Sequence, residues 1–331
     1  MRNEKLNFGV IVRVFVSLIP ILLGMPTLAT IFCAYNIAMS FFILGPVTAI
    51  VSALCSIGIS MLLATSYGPA GEISGLVWGI QAVLAAAGCL QGLKKDRFYK
   101  GLCFTTLGIL APQMIYTRYI AHGAGMSIAQ MLVPNAEDIK LLINENIGRL
   151  QLENQQSLQL NNVILEKVAE QVSEITTLLI PSALIIASMV IAYITLWAVV
   201  AQMRKLPIGM IHSFSHIKVP RMCVAIIAVL IVITLTGLAA LDTLVGMVAL
   251  NMLIVLLSMC FFAGISLADF YARRFIPFRL VRVIIHVIIS LNAFPLYILA
   301  AVIDSFANFR KLPVTLGEKG GEADETEKRN V

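Results

Sequence analysis

Charged residues are scarce in this chain, and their scarcity excludes most classes of soluble protein. Only 13% of its 331 residues are Asp, Glu, Lys or Arg, while 59% are hydrophobic. A soluble globular domain carries roughly 25% charged residues, which it needs for a wetted surface. We therefore predict an integral membrane protein that has the lipid bilayer as its main partner.

Recognisable catalytic motifs are also missing. The sequence has no H-E-x-x-H, G-x-S-x-G or P-loop pattern, so we predict no catalytic residue, no cofactor and no metal, and we do not expect an enzyme. His212 and His216 are four residues apart and could share a helix face, but they lie in a basic connection without a nearby carboxylate. The six cysteines lie in apolar runs without C-x-x-C spacing, which predicts packed free thiols.

The net charge of +6 does not indicate nucleic-acid binding, because the basic residues cluster where apolar runs end. Basic clusters in short connections between membrane helices mark the cytoplasmic face. These clusters are Lys94, Lys95, Arg97 and Lys100; Arg204, Lys205, Lys218 and Arg221; and Arg273, Arg274, Arg279 and Arg282. Their placement predicts a multi-pass protein of the cell membrane, with the polar segment 123–175 on the outer side.

Long apolar runs recur along the chain, and each has the length of ~20 residues that a bilayer-crossing helix needs. They predict an all-α polytopic fold with about eight to nine transmembrane helices. The predicted spans are 8–25, 27–43, 46–66, 72–93, 101–122, 176–203, 220–241, 243–268 and 280–303. Span 27–43 is short, so a re-entrant or broken helix is the competing interpretation.

The last span leaves the side of the C-terminus open. Nine spans would place the tail outside, yet Arg310 and Lys311 follow the last helix directly, and such residues favour the cytoplasm. Asn292 and Pro295 could break 280–303 so that it does not fully cross.

The polar segment 123–175 is predicted to be an extracytoplasmic helical insertion that runs straight into span 176–203. Its apolar residues recur at helical spacing, and a Gln/Asn-rich patch at 151–162 interrupts them. The stripe residues are Ile139, Ile143, Ile147, Leu150, Leu158, Leu165, Val168, Val172 and Ile175. Three arrangements fit this stripe: a hairpin that caps the bundle, a coiled-coil dimer stalk, and a helix on the membrane surface.

Polar residues inside apolar runs are costly in a membrane and therefore indicate candidate functional positions. Those predicted near the outer side, as a small-molecule site, are Tyr67, Glu72, Gln81, Gln113 and Arg118. In the alternative interpretation, Arg118 extends to the membrane surface and Glu72 caps a helix. Three further residues, Asn251, His286 and Asn292, are expected to form hydrogen bonds between helices.

The chain resembles two known families. Its first six spans, with a short second helix and Gly45-Pro46 opening the third, resemble the S-components of energy-coupling-factor vitamin transporters. Its C-terminal spans close on a string that is similar to the YybS-like family of uncharacterised bacterial membrane proteins. The residues of that string are Asp304, Asn308, Phe309, Arg310 and Lys311.

The resemblance implies a bacterial inner membrane and four regions. Residues 1–122 and 176–203 would form an S-component-like unit, 123–175 the insertion, and 204–303 the C-terminal membrane helices. The segment 304–331 is predicted to be a disordered polar tail, because its Gly, Glu and Lys residues cannot bury a core.

Two functions fit these features. The first is a transporter-like protein that binds a small molecule from the outer side within the first six helices. The alternative is a non-transporting assembly or signalling protein that uses the helix 134–175 to bind a protein partner or a second copy of itself.

Overall fold

A computed structural model describes residues 2–68, 71–94, 98–133, 137, 139–141, 145, 162–203, 218–236 and 243–310. These residues form helices joined by turns, with no strand among them, so the predicted all-α fold is confirmed. The helices are α1 (Arg2–Leu22), α2 (Pro26–Leu44), α3 (Pro46–Ala64), α4 (Gly71–Lys94), α5 (Phe98–Gly123), α6 (Ile128–Leu132), α7 (Asn162–Met203), α8 (Arg221–Leu235), α9 (Leu244–Phe275) and α10 (Arg279–Ala307). A 3-10 turn, Thr65–Tyr67, follows α3.

Within these described ranges, six helices are long and apolar enough to cross a membrane: α2, α3 with its 3-10 turn, α4, α7, α9 and α10. The other three predicted spans, 8–25, 101–122 and 220–241, are not among these six. α1 and α8 contribute shorter apolar helices. Helix α5, predicted as span 101–122, is not among the six, because polar residues such as Gln113 and Arg118 dilute its apolar sequence. The multi-pass membrane class is confirmed.

Proline and glycine determine where α2 and α3 begin. Each helix has a proline at its first position, Pro26 and Pro46, where the missing N–H costs no helical hydrogen bond. Gly45 separates the two helices with a φ of +96°, a conformation that favours glycine. Helix α2 is continuous over 19 residues, about 28 Å of rise. The interpretation of 27–43 as a broken helix is therefore wrong.

The helices form two units, one of Met1–Ile211 with Thr236–Val255 and one of His212–Leu235 with Leu256–Val331. In the first unit, α3 and α4 pack with their backbones in contact. A methyl group on Gly75 of α4 would lie 2.3 Å from the carbonyl oxygen of Ser60, and the Ser60 hydroxyl donates to the Gly75 carbonyl at 2.7 Å. Small residues permit this close approach, which stabilises helix pairs in lipid.

Helices α4 and α5 also pack closely through glycine. A methyl group on Gly88 would lie 2.4 Å from the backbone nitrogen of Thr105, and one on Gly108 would lie 2.8 Å from the backbone of Leu84. These contacts place α5 directly against α4 along much of their length, so that side chains from one helix reach the backbone of the other.

Helix α7 is one continuous helix of 42 residues, about 63 Å long. The predicted continuity from the insertion into span 176–203 is confirmed for 162–203. After α5 the chain makes a turn at Gly125 (φ +68°) and forms the short helix α6. Most of 134–161 lies outside the described residues, including Ile143, Ile147, Leu150 and Leu158 of the predicted stripe.

Pro181 interrupts the backbone hydrogen bonds of α7, and the side chain of Asn251 of α9 binds the backbone groups that are left. The backbone N–H of Ser182 donates to Asn251 Oδ1 at 2.8 Å, and Asn251 Nδ2 donates to the Leu178 carbonyl at 2.9 Å. In a regular helix these two backbone groups would bond to each other. The expectation that Asn251 forms a hydrogen bond between helices is confirmed.

The second unit contains α8, the C-terminal part of α9 and α10, and its main feature is a fold-back in α10. The backbone of Ala293 is not helical (φ −143°, ψ 38°), and Pro295 follows it. The hydrogen bond of 2.8 Å between His286 Nδ1 and the Tyr297 hydroxyl crosses this break. A straight helix would separate these two residues by about 16 Å of rise, which the two side chains cannot span.

Contacts with α9 give the direction of each arm of α10. In the first arm, Arg282 Nε donates to Asp269 Oδ1 at 2.9 Å. The second arm lies against Gly264 at Tyr297, and the Phe309 carbonyl beyond its end accepts from the Tyr271 hydroxyl. The second arm of α10 therefore runs parallel to α9, from Gly264 toward Tyr271. Both ends of α10 therefore lie at the C-terminal end of α9.

The break that Asn292 and Pro295 suggested is present at Ala293, so 280–303 is not one straight helix. Each arm has about 14 residues, a length typical of re-entrant segments rather than full crossings. The polar tail also begins later than predicted, because α10 continues to Ala307 and Arg310 is buried. Residues 311–331 lie outside the described part.

We expect Gly75→Ala to destabilise the first unit. The added methyl group would overlap the Ser60 carbonyl, and such overpacking costs about 1–3 kcal/mol. Gly58→Ala is the matched control, since its methyl group would meet no atom within 4 Å and alanine is the better helix former. Thermal unfolding in detergent should show a lower Tm for Gly75→Ala and no loss for Gly58→Ala. Equal Tm values would contradict the close packing.

Spin labels at Leu280→Cys and Phe306→Cys test the fold-back of α10, in a background without the native cysteines. In a straight helix these positions would be about 39 Å apart, and we expect a much shorter distance by pulsed electron paramagnetic resonance. Val168→Cys with Ile194→Cys in α7 has the same sequence separation and should give about 39 Å. Similar long distances for both pairs would refute the fold-back.

Candidate functional site

The residues predicted as an outer-side ligand site do not all come together. The Tyr67 hydroxyl donates to the Ile21 carbonyl, and its ring packs edge-on against Trp78 with centroids 5.9 Å apart. Glu72 and Arg118 have exposed side chains, and no ion pair joins these two described residues. Tyr67 thus packs between α1 and α4, and Glu72 and Arg118 do not contact each other through an ion pair.

Gln81 and Gln113 do meet, between α4 and α5. Gln81 is only 6% exposed, and its Nε2 donates to the Ile109 carbonyl at 2.9 Å and to Gln113 Oε1 at 3.1 Å. Pro112 lies in the adjacent turn of α5, where its ring loosens the helix and leaves carbonyl groups accessible. One amide therefore supports α5 at its proline and binds a second amide.

The same interface continues toward the Gly71 end of α4, where the hydroxyl groups of Ser74 and Tyr116 form a hydrogen bond. Ser74, Gln81, Gln113 and Tyr116 define what we call the polar seam. Within the described residues, Gln81 Oε1 and Gln113 Nε2 make no further hydrogen bond. The polar seam therefore keeps one acceptor and one donor available.

A small cavity lies nearby among α1 to α4, with essentially no enclosed volume that a water molecule could occupy. Its lining is almost entirely apolar and includes Leu18, Cys33 and Trp78, but neither Gln81 nor Gln113. Pockets for small molecules usually measure ~300–1,000 Å³. The cavity is therefore a packing space next to the polar seam and too small to hold a typical ligand.

The second unit contains a cluster of ionisable side chains that the sequence interpretation did not assemble. Asp269 of α9 accepts from Arg273 Nε at 2.9 Å and from Arg282 Nε at 2.9 Å. Arg282 also donates to the carbonyls of Ile276 and Pro277, at 2.7 and 3.1 Å. The cluster thus fixes the turn between α9 and α10.

His286 extends this cluster into the fold-back. Its Nδ1 bonds to the Tyr297 hydroxyl, while its buried Nε2 lies 4.0 Å from Asp269 Oδ1 without a hydrogen-bond partner. His286 was expected to bond to another helix, whereas its hydrogen bond joins the two arms of α10. Asn292 is different, because its Nδ2 donates to the Ile288 carbonyl within its own arm. The expectation that Asn292 bonds between helices is therefore wrong.

The C-terminal string folds into a compact structure that we call the C-terminal clasp, formed by Asp304, Asn308, Phe309, Arg310 and Ser266. Asp304 Oδ2 accepts from Arg310 Nη2 at 2.6 Å, and its Oδ1 accepts from the Phe309 backbone N–H at 3.0 Å. Arg310 Nη1 donates to Ser266 Oγ at 3.2 Å.

Asn308, with a φ of +47°, turns the chain so that Arg310 can point back at Asp304. Both charged side chains are about 1% exposed. A buried carboxylate needs such a partner because an unpaired charge in this environment is very costly. The predicted motif residue Lys311 lies outside the described residues.

Metal-binding groups are not evident in the described part of the chain, which contains no set of three or more His, Cys, Asp or Glu residues that could hold an ion. His212 and His216 lie outside that part. The i, i+4 spacing of Asp269 and Arg273 was a signal in the sequence that could have indicated the ionisable cluster. The partners Arg282 and His286 come from another helix and had no comparable signal.

Comparison with known proteins gives one match. A family model with the description "Predicted membrane protein (DUF2232)" matches residues 9–305. No curated protein and no solved structure matches the chain.

Proposed function

The chain belongs to the DUF2232 family of predicted membrane proteins, and we propose that it is a transporter-like protein that binds a small molecule at the polar seam. The observation that carries the proposal is the hydrogen-bonded pair of Gln81 and Gln113, in which Gln81 Oε1 and Gln113 Nε2 make no hydrogen bond among the described residues. Polar side chains within membrane helices are costly, so those with spare hydrogen-bonding capacity indicate a binding role.

The chemistry of the polar seam restricts the ligand class. Its members are two amides and two hydroxyl groups, with no charged side chain among them. Such a set suits a small polar, uncharged group that both donates and accepts hydrogen bonds. Glu72 and Arg118 remain candidates for contacts at the entrance, where both side chains are exposed.

The position of the polar seam supports entry from the outer side. Ser74 and Tyr116 lie toward the Gly71 end of α4, whereas Lys94 and Lys100 lie at the opposite end of the α4–α5 pair. Basic connections favour the cytoplasm, so the Ser74 end would face outward. The six helices that carried the resemblance to S-components, α1 to α5 and α7, belong to the unit that contains the seam, which agrees with a transporter-like role.

We expect Gln113→Leu to weaken ligand retention while keeping the bond between Gln81 and the Ile109 carbonyl. Small molecules that co-purify with the full-length protein would be identified by mass spectrometry and then titrated back. Loss of one hydrogen bond to the ligand should weaken binding by about tenfold. The matched control is Gln91→Leu, the same change at an exposed position of α4.

Equal retention by Gln113→Leu and the unmodified protein would exclude the polar seam. So would equal loss by Gln91→Leu.

A second candidate function rests on the start of α7. The apolar side chains of Val168, Val172 and Ile175 recur at helical spacing and are 38%, 41% and 56% exposed. Glu166, Glu170 and Glu174 occupy another face of the same turns. We infer that this stripe mediates self-association, which would make the protein an assembly component as the alternative function suggests.

We expect replacement of Val168, Val172 and Ile175 by Gln to convert an oligomer into a monomer, as measured by native mass spectrometry in detergent. The physical reason is the loss of the apolar surface that a partner copy would bury. Replacing Glu166, Glu170 and Glu174 by Gln changes the same turns on their charged face and should preserve the oligomer. A monomeric unmodified protein, or an oligomer that survives the first replacement, would contradict self-association through this stripe.

A further inference from the structure

The second unit is strongly basic where its helices meet the connecting segments. Its described residues contain seven Lys or Arg residues and only two acidic residues. The basic residues are Lys218, Arg221, Arg273, Arg274, Arg279, Arg282 and Arg310, and the acidic residues are Asp269 and Asp304. Among the described residues of this unit, the basic side chains therefore exceed the acidic ones by five, which gives this part of the protein a positive potential.

Both acidic residues are already paired within the protein. Asp269 binds Arg273 and Arg282, and Asp304 binds Arg310 within the C-terminal clasp. These arginines direct their donors inward, to carboxylates, to backbone carbonyls and, for Arg310, to Ser266. These three arginines are structural residues. An external anion would bind to other basic side chains of the unit.

Lys218, Arg221 and Arg274 form what we call the basic arc. Arg274 is exposed and lies over the rings of Phe270 and Tyr271, 5.8 and 5.7 Å from their centroids. The hydroxyl group of Tyr271 donates to the Phe309 carbonyl at 3.1 Å, which connects Arg274 to the C-terminal clasp.

Arg221 reaches the same clasp from α8. Its Nε donates to the Ser305 carbonyl at 3.3 Å, one residue beyond Asp304. Partial burial lowers the pKa of Lys218. The charges of Arg221 and Arg310 lower this pKa further and that of Asp304 raises it, which means that Lys218 lies close to all three. The basic arc therefore surrounds a carboxylate that Arg310 already binds, and among the described residues no carboxylate forms an ion pair with Lys218, Arg221 or Arg274.

Exposed aromatic rings accompany the basic arc. Phe306 and Phe309 flank the C-terminal clasp and are 58% and 51% exposed, and Phe275 at the end of α9 is 82% exposed. A free phosphate ion gains nothing from contact with apolar rings, whereas a lipid acyl chain packs against them. Cations beside exposed apolar side chains match the boundary between headgroup and acyl chain.

We propose that the basic arc binds the phosphate group of an anionic phospholipid, with the acyl chains of that lipid lying against Phe306 and Phe309. The site is independent of the polar seam, which belongs to the other unit. It would anchor the part of the second unit that contains the C-terminal clasp at the membrane surface, with the lipid phosphate as the counter-ion of the basic arc.

The test is lipid retention by the full-length protein, measured by native mass spectrometry after exchange into micelles that contain phosphatidylglycerol or phosphatidylcholine. Each basic residue near an anionic lipid surface contributes roughly a fivefold effect on binding. Lys218→Gln with Arg274→Gln should therefore weaken phosphatidylglycerol binding by about 25-fold. Arg13→Gln with Lys167→Gln removes the same charge from exposed positions of the first unit and should leave binding unchanged.

The proposal is overturned if the first double variant retains phosphatidylglycerol as the unmodified protein does, or if the control loses it equally. It is also overturned if inorganic phosphate alone raises the Tm as much as phosphatidylglycerol, because the site would then take a free anion. A measurement on the unmodified protein covers the case of a variant that does not fold. Raising the salt from ~0.1 to ~1 M should release phosphatidylglycerol but not phosphatidylcholine, and retention of both would refute an electrostatic site.

Discussion

A polar group that enters hydrocarbon must find its hydrogen-bond partner inside the protein, because no water is there to replace one. Both units follow this requirement. In the first unit, amide side chains serve the places where proline disturbs a helix: Asn251 binds the backbone groups freed at Pro181, and Gln81 binds the Ile109 carbonyl beside Pro112. In the second unit, the carboxylates of Asp269 and Asp304 are each held by arginine. Proline breaks are tolerated because amides of neighbouring helices bind the backbone there, and the charges are tolerated because arginines nearby pair with them.

Those partners can reach only because the helices lie unusually close together. Glycine on α4 brings its backbone against α3 and α5, so a side chain as short as glutamine can bridge to a carbonyl on the next helix. Close packing and polar satisfaction therefore depend on each other. The polar seam is the place where this arrangement leaves hydrogen-bonding groups to spare, and for that reason it is a better candidate for ligand binding than the apolar cavity beside it.

Features with a local physical cause were predictable from the sequence. The starts of α2 and α3 follow from Pro26, Gly45 and Pro46. The continuity of α7 follows from a sequence that has no glycine and that has its proline, Pro181, only in the middle of the helix. Features that depend on distant residues were not. Gln81 and Gln113 were expected on the same side, yet their direct contact depends on the packing of α4 against α5. The break in α10 was visible in Asn292 and Pro295, whereas its direction depends on contacts of Tyr297 with α9.

The C-terminal clasp also has a consequence for how the protein is made. Arg310 binds Ser266, which is 44 residues earlier in the chain, so a ribosome needs roughly two to nine seconds to synthesise the segment between them. Helix α10 is made during that interval, and Asp304 precedes the cation that neutralises it by six residues, so this carboxylate waits for its partner for about a second at most. A chain that ends before Arg310 keeps a carboxylate without its partner among apolar helices. The clasp can therefore form only after the chain has been synthesised beyond Arg310.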